Sequence, residues 1–206
     1  MWLTWGNVLP LLAGAAISHA ATSAVKAGMA FEKVMTDTQA LSDISTESMN
    51  RLTKSVLDLG GATQYGPIEM AEGIKVLTLA GLDAESAMKA LPQVMDFAKV
   101  SEMPMKAAAE QLVAVTTAFG YSIDSMSYVS DIIAKTAASS MAAVDEMGQS
   151  FRTASTAATQ YRVSLADTAT GLGLLAQIGI KGQMAGTSFR QMYAELAGGS
   201  RQAQAA

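Results

Sequence analysis

The chain has 206 residues, half of them hydrophobic, and its mean hydropathy of +0.24 excludes the composition of an intrinsically disordered protein. This length is enough for one domain with a sizeable core, and the formal net charge of −4 argues against direct nucleic-acid binding. The absence of cysteine excludes disulfides, thiolate chemistry and cysteine-ligated zinc.

The N-terminal 25 residues carry no charged side chain. Their apolar run, residues 8–17, has no Lys or Arg before it, as a secretory signal usually would, and it is too short and alanine-rich for a membrane span. We therefore predict a long apolar helix from about Pro10 toward Leu41, with Gly28 as its weak point. A signal peptide is the minor alternative.

The second helix is predicted from its capping residues. Ser45 and Thr46 supply N-cap chemistry, and Glu47 would lie in the first turn, where an anion is favoured. Gly60-Gly61 is predicted to end this helix. Its predicted buried face, at helical spacing, consists of Met49, Leu52, Val56 and Leu59.

The third helix is predicted to begin at Pro67, because proline at a first helical position loses no hydrogen bond, and to end at Gly81. Its apolar stripe is Met70, Ile74 and Leu77. Asp83 is predicted to cap the fourth helix. Pro92 predicts either a kink within residues 84–100 or two short abutting helices there.

The second half of the chain shows the same pattern of apolar helix faces followed by glycines that end the helices. A helix is predicted after Pro104 and ends at Gly120, and Asp124 is predicted to open the next one. Ser164 with Asp167 resembles a capping box. The predicted stripes are Ala108, Leu112, Val115 and Phe119; Met126, Val129 and Ile133; Val144, Met147, Phe151 and Ala154; Leu172, Leu175 and Ile178, closed by Gly179; and Phe189, Met192 and Leu196, closed by Gly198-Gly199.

These patterns predict an all-α protein: eight to ten short-to-medium helices in an irregular bundle of helical hairpins, with a long apolar N-terminal helix. Three helix ends, LTLAGLD, TTAFGYSID and AQIGIKG, share one form, which common cap chemistry explains without a repeat array. We predict an apolar helical arm over residues 1–30, a helical core over 31–197 and a disordered tail over 198–206.

No cluster of residues in the sequence indicates an enzyme. His19 is the only histidine, and no carboxylate lies near it in sequence to orient it as a base. The positions of five acids match the helix macrodipole, which explains them without catalysis. They are Glu47, Glu69, Asp83, Asp124 and Asp167.

The glycine-rich segments do not match nucleotide-binding motifs. Gly171-Leu172-Gly173 lacks a preceding strand, and Gly182 to Gly186 has the spacing of a membrane helix-pairing motif without a surrounding apolar segment, so we predict a tight loop there. We therefore expect no catalytic residue, no cofactor, no cofactor-binding residue and no metal site. The chain is predicted not to be an enzyme.

Three stretches together resemble the conserved region of phage tail tape measure proteins of the lactococcal-phage type. They are AFEKVMTDTQALSD (Ala30 to Asp43), the segment Leu59 to Val100, and the segment Leu165 to Leu196 with its Gly-Ile-Lys-Gly and Ala-Gly-Thr elements. Their order and spacing cover most of the chain. The signature positions are Gly60, Gly61, Thr63, Ala80, Gly81, Gly179, Gly182, Gly186 and Thr187.

The resemblance implies a virion structural protein that fills the forming tail, sets the length of the tail tube and assists genome delivery. The implied partners are further copies of the chain and the tail tube, tail assembly chaperone and tail-tip proteins, with possible membrane contact and no direct nucleic-acid binding. The implied locations are the virion tail and, during assembly, the host cytoplasm, with possible membrane association.

The chain length departs from this family. As one continuous helix, 206 residues would span about 310 Å at a rise of about 1.5 Å per residue, and tape measure proteins are usually several times longer. A truncated or remnant form is therefore predicted.

Two alternative functions remain open. One is a membrane-active helical protein that inserts in the host envelope, because residues 8–25 and 171–180 are apolar. The other is a peptidoglycan hydrolase, against which the missing His, Cys and metal-ligand cluster argues.

Overall fold

The computed structural model describes the backbone of residues 24–204 and the side chains of residues 24–198. Within these residues there are nine α-helices, one 3-10 turn at Ile123–Ser125 and no strand, which confirms the predicted all-α class. The helices are α1 (24–41), α2 (Thr46–Ala62), α3 (Pro67–Leu79), α4 (Ala84–Ser101), α5 (Met105–Ala118), α6 (Met126–Ala138), α7 (Val144–Gln160), α8 (Leu165–Gln177) and α9 (Gly182–Gln204).

The chain divides into two compact units, Met1–Ala71 and Glu72–Ala206. The first contains α1, α2 and the first residues of α3. Its buried apolar side chains lie at helical spacing, as predicted for α2. They are Phe31 and Met35 on α1; Met49, Leu52 and Val56 on α2; and Met70 and Ala71 on α3.

The second unit is a helical bundle around α7. This helix packs most extensively against α9 and also contacts α5, α6 and α8, while α4 packs on α5 and α6. Phe97, Phe151 and Phe189 are almost fully buried, and Phe151 meets Phe119 edge to face with ring centroids 6.5 Å apart. Aromatic residues are few in this chain, and these three lie in the core of the bundle.

The predicted helix caps are present at three starts. The Ser45 hydroxyl accepts a hydrogen bond from the Ser48 N–H (3.3 Å), the Asp83 carboxylate from the Ser86 N–H (2.8 Å), and the Ser164 hydroxyl from the Asp167 N–H (3.0 Å). Each satisfies a backbone donor that has no partner inside the helix. The start of α6 differs from the prediction. Asp124 lies in the 3-10 turn and does not cap α6, which begins at Met126.

The predicted glycine stops are correct at Gly81, Gly120 and Gly179, whose φ angles are +94°, +72° and +86°. Only glycine adopts this left-handed conformation without steric cost, and it is the usual way a helix ends. The prediction is wrong for Gly60-Gly61 and for Gly198. Their backbones are not left-handed, so α2 continues to Ala62 and α9 continues to Gln204.

Pro92 does not divide its helix. Helix α4 is continuous from Ala84 to Ser101, so the alternative of two abutting helices is wrong. The Pro92 side chain is exposed, and the Met88 carbonyl that loses its helical partner lies on the same side. Water can therefore satisfy that carbonyl, and the helix tolerates the proline.

Two predicted buried faces are partly wrong. Ile178 is 72% exposed and Leu196 is 63% exposed, whereas Ala185 and Phe189 are buried on α9. On α9 the predicted stripe is right at Phe189 and wrong at Leu196, because the face that packs on α7 also carries Gly186, which has no large side chain to mark it.

The long N-terminal helix is described only in part. Residues 24–41 form a continuous helix through Gly28, which does not interrupt it. The predicted start near Pro10, the signal-peptide alternative and His19 lie outside the described residues. The boundaries of the predicted arm, core and tail stay a prediction.

Candidate functional site

The segment Leu165 to Leu196, which carries the last family-like elements, forms one packing unit of α8 and α9 against α7. Helix α8 ends in a left-handed turn at Gly179. The N–H of Gly179 donates to the Ala176 carbonyl (3.0 Å), and the N–H of Ile180 donates to the Leu175 carbonyl (2.9 Å). This glycine reverses the chain so that α9 can return along α7.

At Gly186, helices α7 and α9 approach each other closely. A Cβ atom built there would lie 2.6 Å from the Ser150 carbonyl oxygen and 2.5 Å from the Thr153 Cβ. Both distances are shorter than real Cβ contacts. Glycine is therefore required at this position for packing, and no ligand is needed to explain it.

Polar contacts fix the start of α9 on the same helix. The Ser150 hydroxyl lies 2.9 Å from the Gly182 carbonyl oxygen, and the Lys181 ammonium lies 3.9 Å from the Glu146 carboxylate. Gly182 itself has a φ of +58°. The prediction of a tight loop over Gly182 to Gly186 is therefore wrong, because these residues form the first turns of α9.

An aromatic cluster continues the contact along α9. The Phe189 ring packs on α8, where a Cβ at Gly171 would lie 2.9 Å from its edge. Phe189 and Tyr193 have ring centroids 4.7 Å apart, and Tyr193 stacks on Tyr161 at 6.0 Å. Gly171, tested in the sequence as part of a nucleotide loop, instead makes room for an aromatic ring.

The remaining signature positions are structural or exposed. A Cβ at Gly60 would lie 2.7 Å from the Cα and N of Pro67, so this glycine lets the start of α3 approach α2, whereas one at Gly61 would meet nothing within 4 Å. Thr63 is the C-cap of α2, and Ala80 is exposed at the end of α3. The Thr187 hydroxyl donates a hydrogen bond to the Gln183 carbonyl of its own helix (2.9 Å).

One close contact carried no signal in the sequence. Gln111 on α5 is only 3% exposed, and its side chain occupies the space where Gly148 of α7 lacks one. Its amide Nε2 lies 3.5 Å from the Asp145 carbonyl oxygen. A glutamine and a glycine 37 positions apart give no spacing that sequence reasoning could recognise.

The shifted pKa values belong to surface contacts of α4. The Ser86 N–H holds the pKa of the Asp83 carboxyl below its usual value, and the 2.7 Å ion pair with Glu85 raises the pKa of the Lys89 ammonium. Both groups are exposed. Asp83 caps the first turn of α4, and Lys89 pairs with Glu85 one turn before it. Neither group lines any of the three clefts described below.

Three clefts are lined by a mixture of small, apolar and charged residues, with Glu69, Glu102, Lys135 and Asp145 among them. One of about 600 Å³ lies where the ends of α4 and α6 meet the start of α7, one of about 340 Å³ lies between α6 and α8, and one of about 390 Å³ lies beside Phe31 in the first unit. Within residues 24–198, no three His, Cys, Asp or Glu side chains are grouped as a metal site would require.

Comparison with known proteins identifies the family. Residues 53–206 match the family described as "Phage-related minor tail protein". The chain belongs to this family. The match includes all of α3 to α9, and so it contains both the α7–α9 crossing and the aromatic cluster.

Individual relatives of this minor tail protein carry a more specific name. A "Tape measure protein" of Pneumococcus phage Dp-1 is 32% identical over 195 residues, which cover 95% of this chain and 16% of that protein. A "Probable tape measure protein" of Escherichia phage P2 is 27% identical over 190 residues, 89% of this chain and 23% of that protein. The chain thus spans less than a quarter of either relative. No solved structure matches it.

The predicted resemblance to tape measure proteins is confirmed by these relatives. Among the described helices, none is both long and apolar enough to cross a membrane.

Proposed function

We propose that this chain is a helical segment of the tape measure type that acts as a structural component of the phage tail. Membership in the minor tail protein family is the observation that carries the proposal, and the two relatives named as tape measure proteins support its more specific part. The chain would help to set tail tube length and to deliver the genome, and it would do so without catalysis.

The packing of the described helices supports an assembly role for this segment. Its most restrictive positions, such as Gly186 and Gly60, are restricted by contact with neighbouring helices. A continuous helix of this length would span about 310 Å, but the described residues of the segment form separate helices of 13 to 23 residues. We therefore assign it contacts within the tail, and we assign tube length to the tape measure protein as a whole.

The proposed partners follow from that role. They are further copies of the chain, the tail tube, the tail assembly chaperone and the tail-tip proteins, met first in the host cytoplasm and then in the virion tail. Exposed apolar side chains offer contact surface, among them Met141 in the loop before α7, Ile178 at the end of α8 and Leu196 on α9.

The tail assignment is tested by mass spectrometry of purified tails. We expect peptides from residues 53–198 to co-purify with tail tube protein at a fixed ratio through two successive gradients. A non-structural phage protein expressed at the same time serves as the control and should be lost. Peptides that are abundant in the lysate and absent from the tails would contradict the proposal.

A further inference from the structure

We draw no further inference here: the strongest candidate, the apolar cleft of about 390 Å³ that Phe31 of α1, Leu57 of α2 and Pro67 at the start of α3 line in the first unit, carries nothing because no feature of the described part of the chain shows what covers it.

Discussion

At the scale of single residues, close approach of helices explains the most restrictive positions of this chain. Gly186→Ala places a Cβ 2.6 Å from the Ser150 carbonyl oxygen, which belongs to the α7 backbone and cannot yield easily. We expect a loss of about 1–3 kcal/mol in the free energy of unfolding, typical of an overpacked core. Urea unfolding followed by circular dichroism measures it.

The same helix provides the control. A Cβ at Gly198 meets nothing within 4 Å, so Gly198→Ala should leave stability unchanged or raise it by up to about 1 kcal/mol through helix propensity. Equal effects of the two substitutions would show that packing does not select glycine at position 186.

A neighbouring pair in α2 makes an independent prediction. Gly60→Ala places a Cβ 2.7 Å from the Cα and N of Pro67 and should destabilise the first unit by about 1–3 kcal/mol, whereas Gly61→Ala meets open space and should be neutral or slightly stabilising. Thermal unfolding of both variants measures the difference. A Gly61 variant that is the less stable of the two would contradict the structure at this contact.

The Asp83 cap predicts a pH dependence. Because the Ser86 N–H lowers the pKa of the folded Asp83 carboxyl below the model-peptide value of 3.8, its contribution to stability is present above pH 3.8 and is lost as pH falls through the folded pKa. The ¹³C shift of the Asp83 carboxyl should titrate below pH 3.8. The stability of Asp83→Asn should lack this step, and a carboxyl that titrates at or above 3.8 would exclude the cap.

At the scale of elements, we expect the contact of α8 with α9 to depend on the Phe189 ring. Gly171→Ala should destabilise the protein by about 1–3 kcal/mol because its Cβ would lie 2.9 Å from Phe189. In a Phe189→Leu background, this penalty should shrink, giving a coupling energy of about 1 kcal/mol or more in a double-mutant cycle.

Another glycine of α8 serves as the control for that cycle. A Cβ at Gly173 would approach Thr136 of α6 instead of Phe189, so the effect of Gly173→Ala should be the same in both backgrounds. An unchanged penalty for Gly171→Ala in the Phe189→Leu background would show that the two helices do not meet through this ring.

Sequence patterns predicted most helices and their caps, but they did not predict which helix faces pack against one another. Asp83, Ser164 and Gly179 act through neighbours a few residues away, and local chemistry of this kind can be recognised from sequence. The buried face of α9 and the contact of Gln111 with Gly148 depend on residues distant in sequence. On α9, the spacing of large apolar side chains predicted that Met192 is buried, but it is 45% exposed. The close contact of α9 with α7 is made by small residues, which that spacing does not reveal.

The candidate site shows the same division. The Gly179 to Thr187 segment was recognised by its resemblance to tape measure proteins, and sequence reasoning explained Gly179 as a helix end but not Gly186. Gly186 is explained by the α7–α9 crossing, which only the folded chain brings together. The expectation that no catalytic, cofactor or metal residue is present stays a prediction.

At the scale of the whole molecule, the proposed role in the tail requires an intact helical bundle. Gly186→Val, introduced into the phage gene that encodes this segment, should destabilise the bundle through the Ser150 and Thr153 contacts, while Gly198→Ala should not. The two substitutions lie in one helix: the first places a side chain against α7, and the second places one in open space.

Electron microscopy of the resulting particles tests this central claim most directly. We predict that Gly186→Val strongly reduces the fraction of particles with complete tails, and that Gly198→Ala gives tails in wild-type number. Normal tail number and length with Gly186→Val, in a chain shown by circular dichroism to be destabilised, would contradict the claim that this helical bundle is a working part of the tail.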